Sequence, residues 1–316
     1  MMLATMAGAM CAGAVAQSGV LYAPGRTIDD QGIVLRSWGS GAASQTDEAA
    51  YEGIYSVRVS TRNFFQGGIL NFANTPDLAT LYPDKNNLLR LTFRVADLNL
   101  TLGGGGGKGD AQGGAIGGLA GGGGGVAGTA GGKGGGRGAA QGGGQSEKAA
   151  LKELRFVITT TDGKRSEAYV PIDTSSSGDR GWRTTAIPLQ AIAGFDKTNK
   201  IVSSVALAGD ATAVFYVGDL RVINDSTPIS GEPNVTKLNL ALGDEVQLWA
   251  YGYGGASVLT YKWDFDSKDG IQVDAESQVV KRKFRKPGKY TITVTIADKY
   301  GLKKPYTTTI DVTVNP

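Results

Sequence analysis

The stretch from Gly103 to Gly144 constrains this chain more than any other feature. It reads GGGGGKGDAQGGAIGGLAGGGGGVAGTAGGKGGGRGAAQGGG and holds about half of the 49 glycines. Glycine brings no side chain to bury and loses the most backbone entropy on ordering, so the tract cannot build a packed core. Both flanks read as β-strand, one ending near Leu102 and the next beginning near Leu151. The tract is therefore read as an insert within a β-domain, leaving one end of a sheet and returning to it. Closing so long a loop is tolerable, because each doubling of length adds only about 0.6 kcal/mol. It has no strict G-X-Y period, which argues against collagen. Two readings stand: a flexible spacer, or extended polyglycine segments whose bare amides pack together or against a neighbouring molecule.

Two absences narrow the chemistry. The chain has no histidine, and its single cysteine is Cys11. The commonest general base and the commonest transition-metal ligand are missing. Met1 to Ala16 is apolar, small and uncharged and ends in Ala14-Val15-Ala16 before Gln17. That fits an export signal with an A-x-A cleavage site, although the positive n-region is missing. Cleavage would remove Cys11, and Met10 before it is a poor fit to lipidation. The exported chain would then lack Ser-His-Asp and Cys-His catalysis, zinc sites and iron–sulfur clusters. Carboxylate chemistry and calcium binding remain. The 32 basic residues against 29 acidic ones give a net charge of +3, too balanced to argue for nucleic acid or an anionic membrane. The Met1–Ala16 run is too short to span a bilayer, and no second apolar span appears.

From about Thr27 to Asp225 the chain reads as short strands separated by turns. Leu89, Leu91, Phe93 and Val95 alternate with Arg90, Thr92 and Arg94, and Leu154, Phe156 and Ile158 repeat the pattern. Asp162-Gly163 predicts a tight hairpin turn into Ser166–Ile172. Residues 226–233 carry two prolines and a glycine and read as a linker. From Asn234 to Pro316 a second unit alternates cleanly, with Tyr290, Ile292, Val294 and Ile296 inward. Its size and strand count suit an immunoglobulin-like sandwich without a disulfide.

The second unit, 234–316, resembles the polycystic-kidney-disease (PKD) domain family. The resemblance rests on Tyr261-Lys262-Trp263-Asp264-Phe265, Phe284, Pro287-Gly288-Lys289-Tyr290 and Asp298-Lys299-Tyr300-Gly301. It implies a non-catalytic, extracellular, sandwich-type module with Trp263 in the core. The first unit, 27–225 with its glycine-rich insert at 103–145, resembles the galactose-binding-like jelly rolls of carbohydrate-binding modules. The residues behind this are Trp38-Gly39-Ser40, Tyr51-Glu52-Gly53, Leu88 to Val95, Gly181-Trp182 and Phe215 to Val222. That resemblance implies a structural calcium, for which Glu52 and Asp219 are the candidate ligands. Trp38, Phe64, Phe65 and Tyr82 are candidates for the sugar side, and Trp182 is expected in the core.

Alternation within the second unit turns Val246, Leu248 and Ala250 inward. Trp249, Tyr251 and Tyr253 then face outward, where a row of aromatics suits sugar stacking or a protein partner. Asp264, Asp266 and Asp269 cluster closely. They are read either as calcium ligands, with a spacing unlike an EF-hand, or as turn-capping carboxylates.

The whole chain is thus expected to be all-β: a jelly-roll sandwich with a glycine-rich insertion, then an immunoglobulin-like sandwich. Its expected role is a secreted, non-catalytic protein binding polysaccharide or cell-envelope glycan. The alternatives are a self-associating structural subunit of a filament, sheath or matrix, using the glycine tract, and a carboxylate-dependent polysaccharide-active enzyme. No carboxylate pair stands out for the last.

Overall fold

The computed structural model describes residues 19–96, 151–172, 181–270 and 272–316. The expected export signal, Cys11 and the glycine tract lie outside the described residues. The described chain is all-β, as alternation predicts.

The first sandwich uses β1 (Val20–Tyr22), β2 (Ile33–Trp38), β3 (Ala42–Thr46), β4 (Ser56–Thr61), β5 (Gly67–Phe72) and β6 (Asn87–Val95) before the insert. After it come β7 (Glu153–Thr160), β8 (Arg165–Pro171), β9 (Arg183–Pro188), β10 (Val202–Gly209) and β11 (Ala213–Asn224). One sheet runs β3-β4-β11-β6-β9, with β1 also on β11, and the other runs β2-β5-β10-β7-β8. From β4 onward the chain changes sheet at each connection except the β7–β8 hairpin. This crossing order, β4-β11-β6-β9 facing β5-β10-β7-β8, is a jelly roll. The insert lies between β6 and β7, one strand of each sheet, so it interrupts neither ladder.

The core is built from the inward positions of both sheets. Leu89, Leu91 and Phe93 of β6 meet Leu154, Phe156 and Ile158 of β7 and Phe215 and Val217 of β11, all buried. At roughly 20–33 cal/mol per Å² of apolar surface, such a cluster is the main source of stability. Thr92, on the outward face of β6, is buried as well. The strand therefore departs from simple half-burial, because it lies inside its sheet between β11 and β9. Trp182 is buried as expected, but outside this core: it joins Ala49 and Tyr216 in a small cluster on the opposite side of β11.

The second sandwich begins inside the expected linker. Ser230–Pro233 form β12 and pair with the next sheet's β14 (Glu245–Tyr253). A proline is tolerated there because β12 is an edge strand, where a missing N–H costs nothing. The sheet β12-β14-β17 (β17, Val279–Lys283) faces a five-stranded sheet of β13 (Lys237–Ala241), β19 (Tyr306–Asn315), β18 (Gly288–Asp298), β15 (Leu259–Asp264) and β16 (Ala275–Glu276). β13 runs parallel to β19 and the other ladders are antiparallel. Trp263 is fully buried among Leu248, Ile292, Val294 and Ile310, and its indole N–H donates to the Ser277 carbonyl at 2.8 Å. Burying this ring is favourable because its one polar atom is satisfied.

Asp225, just after β11, ties the two sandwiches together. Its carboxylate accepts the N–H groups of Thr227 (3.0 Å) and Ala256 (2.6 Å) and the Lys303 ammonium (3.1 Å). Gly255 must be glycine there, since its φ is +66° and a Cβ would strike the Asp225 carboxylate. Tyr300 and Val258 of the second sandwich pack against the first core. Burial raises the Tyr300 phenol above the ordinary tyrosine range, and Asp298 and Glu153 add to it.

Burial opposes ionisation of Asp225, but hydrogen bonds from Thr227, Ala256 and Lys303 outweigh it and hold the carboxyl at about 2, below the ordinary 3.8. With the folded pKa below the unfolded one, its stabilisation is complete above about pH 4 and is lost as pH falls towards 2. Asp225→Asn should cost on the order of 2 kcal/mol at neutral pH. In thermal melts across pH, the gap between wild type and variant should close in acid; a constant gap would contradict this assignment.

Candidate functional site

One row of residues crosses the whole outward face of the β2-β5-β10-β7-β8 sheet. The registers align Trp38 with Gly67, Gly67 with Ala208, Ala208 with Arg155, and Arg155 with Tyr169. Opposed residues share a face, so this row has an aromatic ring at each end and a floor of glycine and alanine. The small floor lets Arg155 lie across it. Its guanidinium stands 5.3 Å from the Trp38 ring centre, 4.8 Å from Phe65 and 5.7 Å from Tyr169. Such cation–ring contacts are each worth about 0.5–1 kcal/mol when exposed and more when desolvated.

The turn between β4 and β5 brings Phe64 and Phe65 to this face. It is tied by Gln66 N–H to the Asn63 carbonyl (3.1 Å) and by the Thr61 hydroxyl to the Gln66 carbonyl (2.9 Å). Arg155 donates to the Phe64 carbonyl at 3.0 Å and to the Glu167 carboxylate, with Nε at 3.0 Å and Nη2 closer still. Phe64 meets Tyr169 edge-on at 5.1 Å. The guanidinium is thus fixed on several sides, while Phe65 remains 63% exposed and Tyr169 37%. Rings held rigidly yet open to solvent form a stacking platform, with Glu167 and Arg36 beside it for hydroxyl groups.

The second aromatic face lies on β14. Tyr251 and Tyr253 are 58% and 64% exposed, with Trp249 half-buried beside them. Tyr251 opposes Glu232 on β12, Tyr253 opposes Ser230, and Trp249 opposes Val279 on β17. Successive rings on one strand face are about 7 Å apart. The outward direction expected for all three from alternation holds.

Three of the five expected calcium carboxylates, Asp219, Asp264 and Asp266, are engaged in hydrogen bonds within the chain. Asp219 is buried, and its two oxygens are taken by Arg90 Nη2 (2.9 Å) and Arg221 Nε (2.7 Å). A bulge between Val217 and Asp219 turns it towards these arginines, which supply the positive charge assigned above to calcium. Glu52 is exposed in the turn before β4. Asp264 caps the Asp266 N–H (3.1 Å) and Asp266 caps the Lys268 N–H (3.2 Å), the turn-capping alternative. Asp269 is exposed in the same turn. Among the described residues no three acidic side chains converge as metal ligands.

Of the other sugar-side candidates, Trp38, Phe64 and Phe65 come together. Tyr82 packs against Phe195 and Lys200 instead. Sequence reasoning missed Arg155, Glu167 and Tyr169. A groove of about 630 Å³ lies elsewhere, between Lys85–Asn86 and Leu302–Thr307; its Lys303 is already held by Asp225.

Residues 232–312 match the model of the PKD domain family. The match confirms the resemblance read from Trp263 and its neighbours and covers less than half of the chain. No curated protein sequence matches the chain. Similar solved structures include the fibronectin(III)-like modules of Clostridium thermocellum CbhA (10% identity, 54% of this chain and 81% of that one, TM-score 0.24). Others are the N-terminal four Ig domains of Dscam1 isoform 4.44 (10%, 51% and 37%, TM-score 0.25) and the three N-terminal domains of the bacteriophage RB49 outer capsid protein Hoc (12%, 51% and 48%, TM-score 0.24). PKD domains are typically non-catalytic and extracellular in type. No helix among the described residues is long and apolar enough to cross a membrane.

Gly67 is the residue on which the jelly-roll platform turns. A Cβ there would be driven into the Leu207 carbonyl oxygen, and one at Gly41 into the backbone of Gly67. Gly67→Ala should cost about 2–3 kcal/mol, measured by urea unfolding. An unchanged midpoint would contradict the close approach of β5 to β10.

Proposed function

We propose that this chain is a secreted, non-catalytic glycan-binding protein that attaches to polysaccharide or cell-envelope glycan. The observation that carries the reading is the row of Trp38, Phe65 and Tyr169 gathered over Arg155 on a rigid sheet face. Pyranose rings present apolar C–H faces to aromatic rings and hydroxyl groups to polar neighbours. A preassembled platform meets both without an ordering cost at binding. The second aromatic strip, Trp249 to Tyr253, makes attachment two-pointed. Two sites on one chain raise avidity well beyond either alone. The reading is non-catalytic because the residues round Arg155 are engaged structurally: Glu167, the one carboxylate bonded to Arg155 in the platform, is tied to its guanidinium.

The self-assembling alternative rests on the glycine tract between β6 and β7, and both readings are separable by experiment. Affinity electrophoresis in gels cast with a panel of neutral polysaccharides should retard the full chain. Trp38→Ala and Phe65→Ala should each weaken retardation about tenfold or more, a typical loss for a ring at a binding hot spot. Retardation that is absent throughout, with regular polymers in electron micrographs that vanish on deletion of the tract, would replace this reading with the assembly one.

A further inference from the structure

A dense run of positive charge lies at a place that the aromatic sites do not use. Residues 281–289 read KRKFRKPGK, six cations in nine positions with no carboxylate. They span the end of β17 and the turn into β18. Lys281, Lys283, Arg285, Lys286 and Lys289 are exposed. An open groove of about 440 Å³ is lined by Lys281 to Lys286 and Tyr290. Its floor is Arg282, whose guanidinium lies 4.7 Å from the Phe265 ring centre and 5.8 Å from Phe284. The Arg282 Nε is buried and has no hydrogen-bond partner.

The carboxylates that face these cations are few. Glu245 approaches Lys281 at 3.6 Å, with both side chains largely in solvent, so the pair neutralises little. Asp266 and Asp269 lie in the adjoining turn, whose own Lys268 donates to the Lys289 carbonyl at 3.0 Å and adds a further cation. Guarding an edge strand explains one or two lysines on β17, which is at the margin of its sheet. It does not explain Arg285, Lys286 and Lys289, which lie beyond the strand.

We propose that this groove is a further binding site, separate from the two aromatic faces, for an acidic polysaccharide, recognising carboxylate or sulfate groups repeated along the polymer. Arginine forks match either anion in geometry, and the flanking lysines supply field. Nucleic acid fits less well. β17 and β18 belong to different sheets, so they form no two-stranded ribbon for a major groove. Phe284 is buried, and the half-buried Tyr290 ring packs on it at 4.8 Å between centroids, with its hydroxyl tied to the Lys286 carbonyl at 2.9 Å, so the groove offers no fully open ring for stacking unpaired bases. The choice of a polysaccharide rests on the reading of the chain as a glycan binder; the groove itself does not depend on the aromatic platform.

The test is affinity electrophoresis of the full chain against polygalacturonate (carboxylate), heparin (sulfate), a neutral glucan and duplex DNA. Each is run for wild type and for the triple variant Lys283→Glu, Arg285→Glu, Lys286→Glu. All three side chains are exposed, so thermal melting should be unchanged. Binding to polygalacturonate or heparin should fall at least about tenfold in the variant, and likewise between about 50 mM and about 300 mM salt, while neutral-glucan retardation stays. Whichever polymer is held names the anion. The proposal is overturned if wild type ignores both acidic polymers, if the variant binds them equally, or if DNA binds more tightly through the same residues. Loss of neutral-glucan retardation through Trp38→Ala would leave the groove untouched, so the two readings fail separately.

Discussion

The candidate site depends on how closely β5 approaches β10. Where Gly67 meets Ala208, two small residues leave the middle of a five-stranded sheet without tall side chains. Arg155 can then cross the gap and draw Trp38, Phe65 and Tyr169, which come from three separate parts of the chain, into one platform. A larger residue at either position would lift the guanidinium and separate the rings. The jelly-roll crossing order sets this up. It makes β2, β5, β10, β7 and β8 neighbours although they are scattered from residue 33 to residue 209. The same order places the glycine insert at a connection between sheets, where even a long insertion leaves both ladders paired.

A second constraint is the buried carboxylate of Asp225. The sandwiches have separate cores, so polar contacts and a few apolar ones hold their junction. Asp225 combines two backbone amides with the Lys303 ammonium, and Lys303 also donates to the Gly254 carbonyl at 2.9 Å. A buried charge so fully bonded sets geometry more than it adds stability. Under the proposed reading, two aromatic faces on one chain would profit from such a joint, because a fixed span raises the effective concentration of the second contact.

Alternation made much of the fold legible. The inward sets on β6, β7, β14 and β18 follow from period-two patterning, and the neighbours of Trp263 carried the PKD resemblance. The exposure of Tyr251 and Tyr253 was readable for the same reason. The Arg155 platform was not. Arg155 and Tyr169 each alternate outward on their own strands, but only cross-strand register puts them beside Trp38, and register is a tertiary property. Asp219 misled for a related reason: the bulge before it and the arginine from β6 are invisible along one strand. The acidic turn at 264–269 illustrates that local hydrogen bonding by aspartate competes with metal binding in the same sequence pattern. The basic run at 281–289 was visible as letters, but its surroundings decide that it lines a groove.

The four tryptophans offer a direct readout of the central claim, that rigid aromatic faces hold glycan. Trp38 and Trp249 lie on the two faces, whereas Trp182 and Trp263 are 5% and 0% exposed. Their indole N–H resonances, followed by NMR during titration with a neutral polysaccharide fragment retained in the affinity gels, separate the faces from the cores. The account predicts that the Trp38 and Trp249 signals move with saturation while those of Trp182 and Trp263 stay. Four unmoved signals, or movement confined to the buried pair, would contradict it.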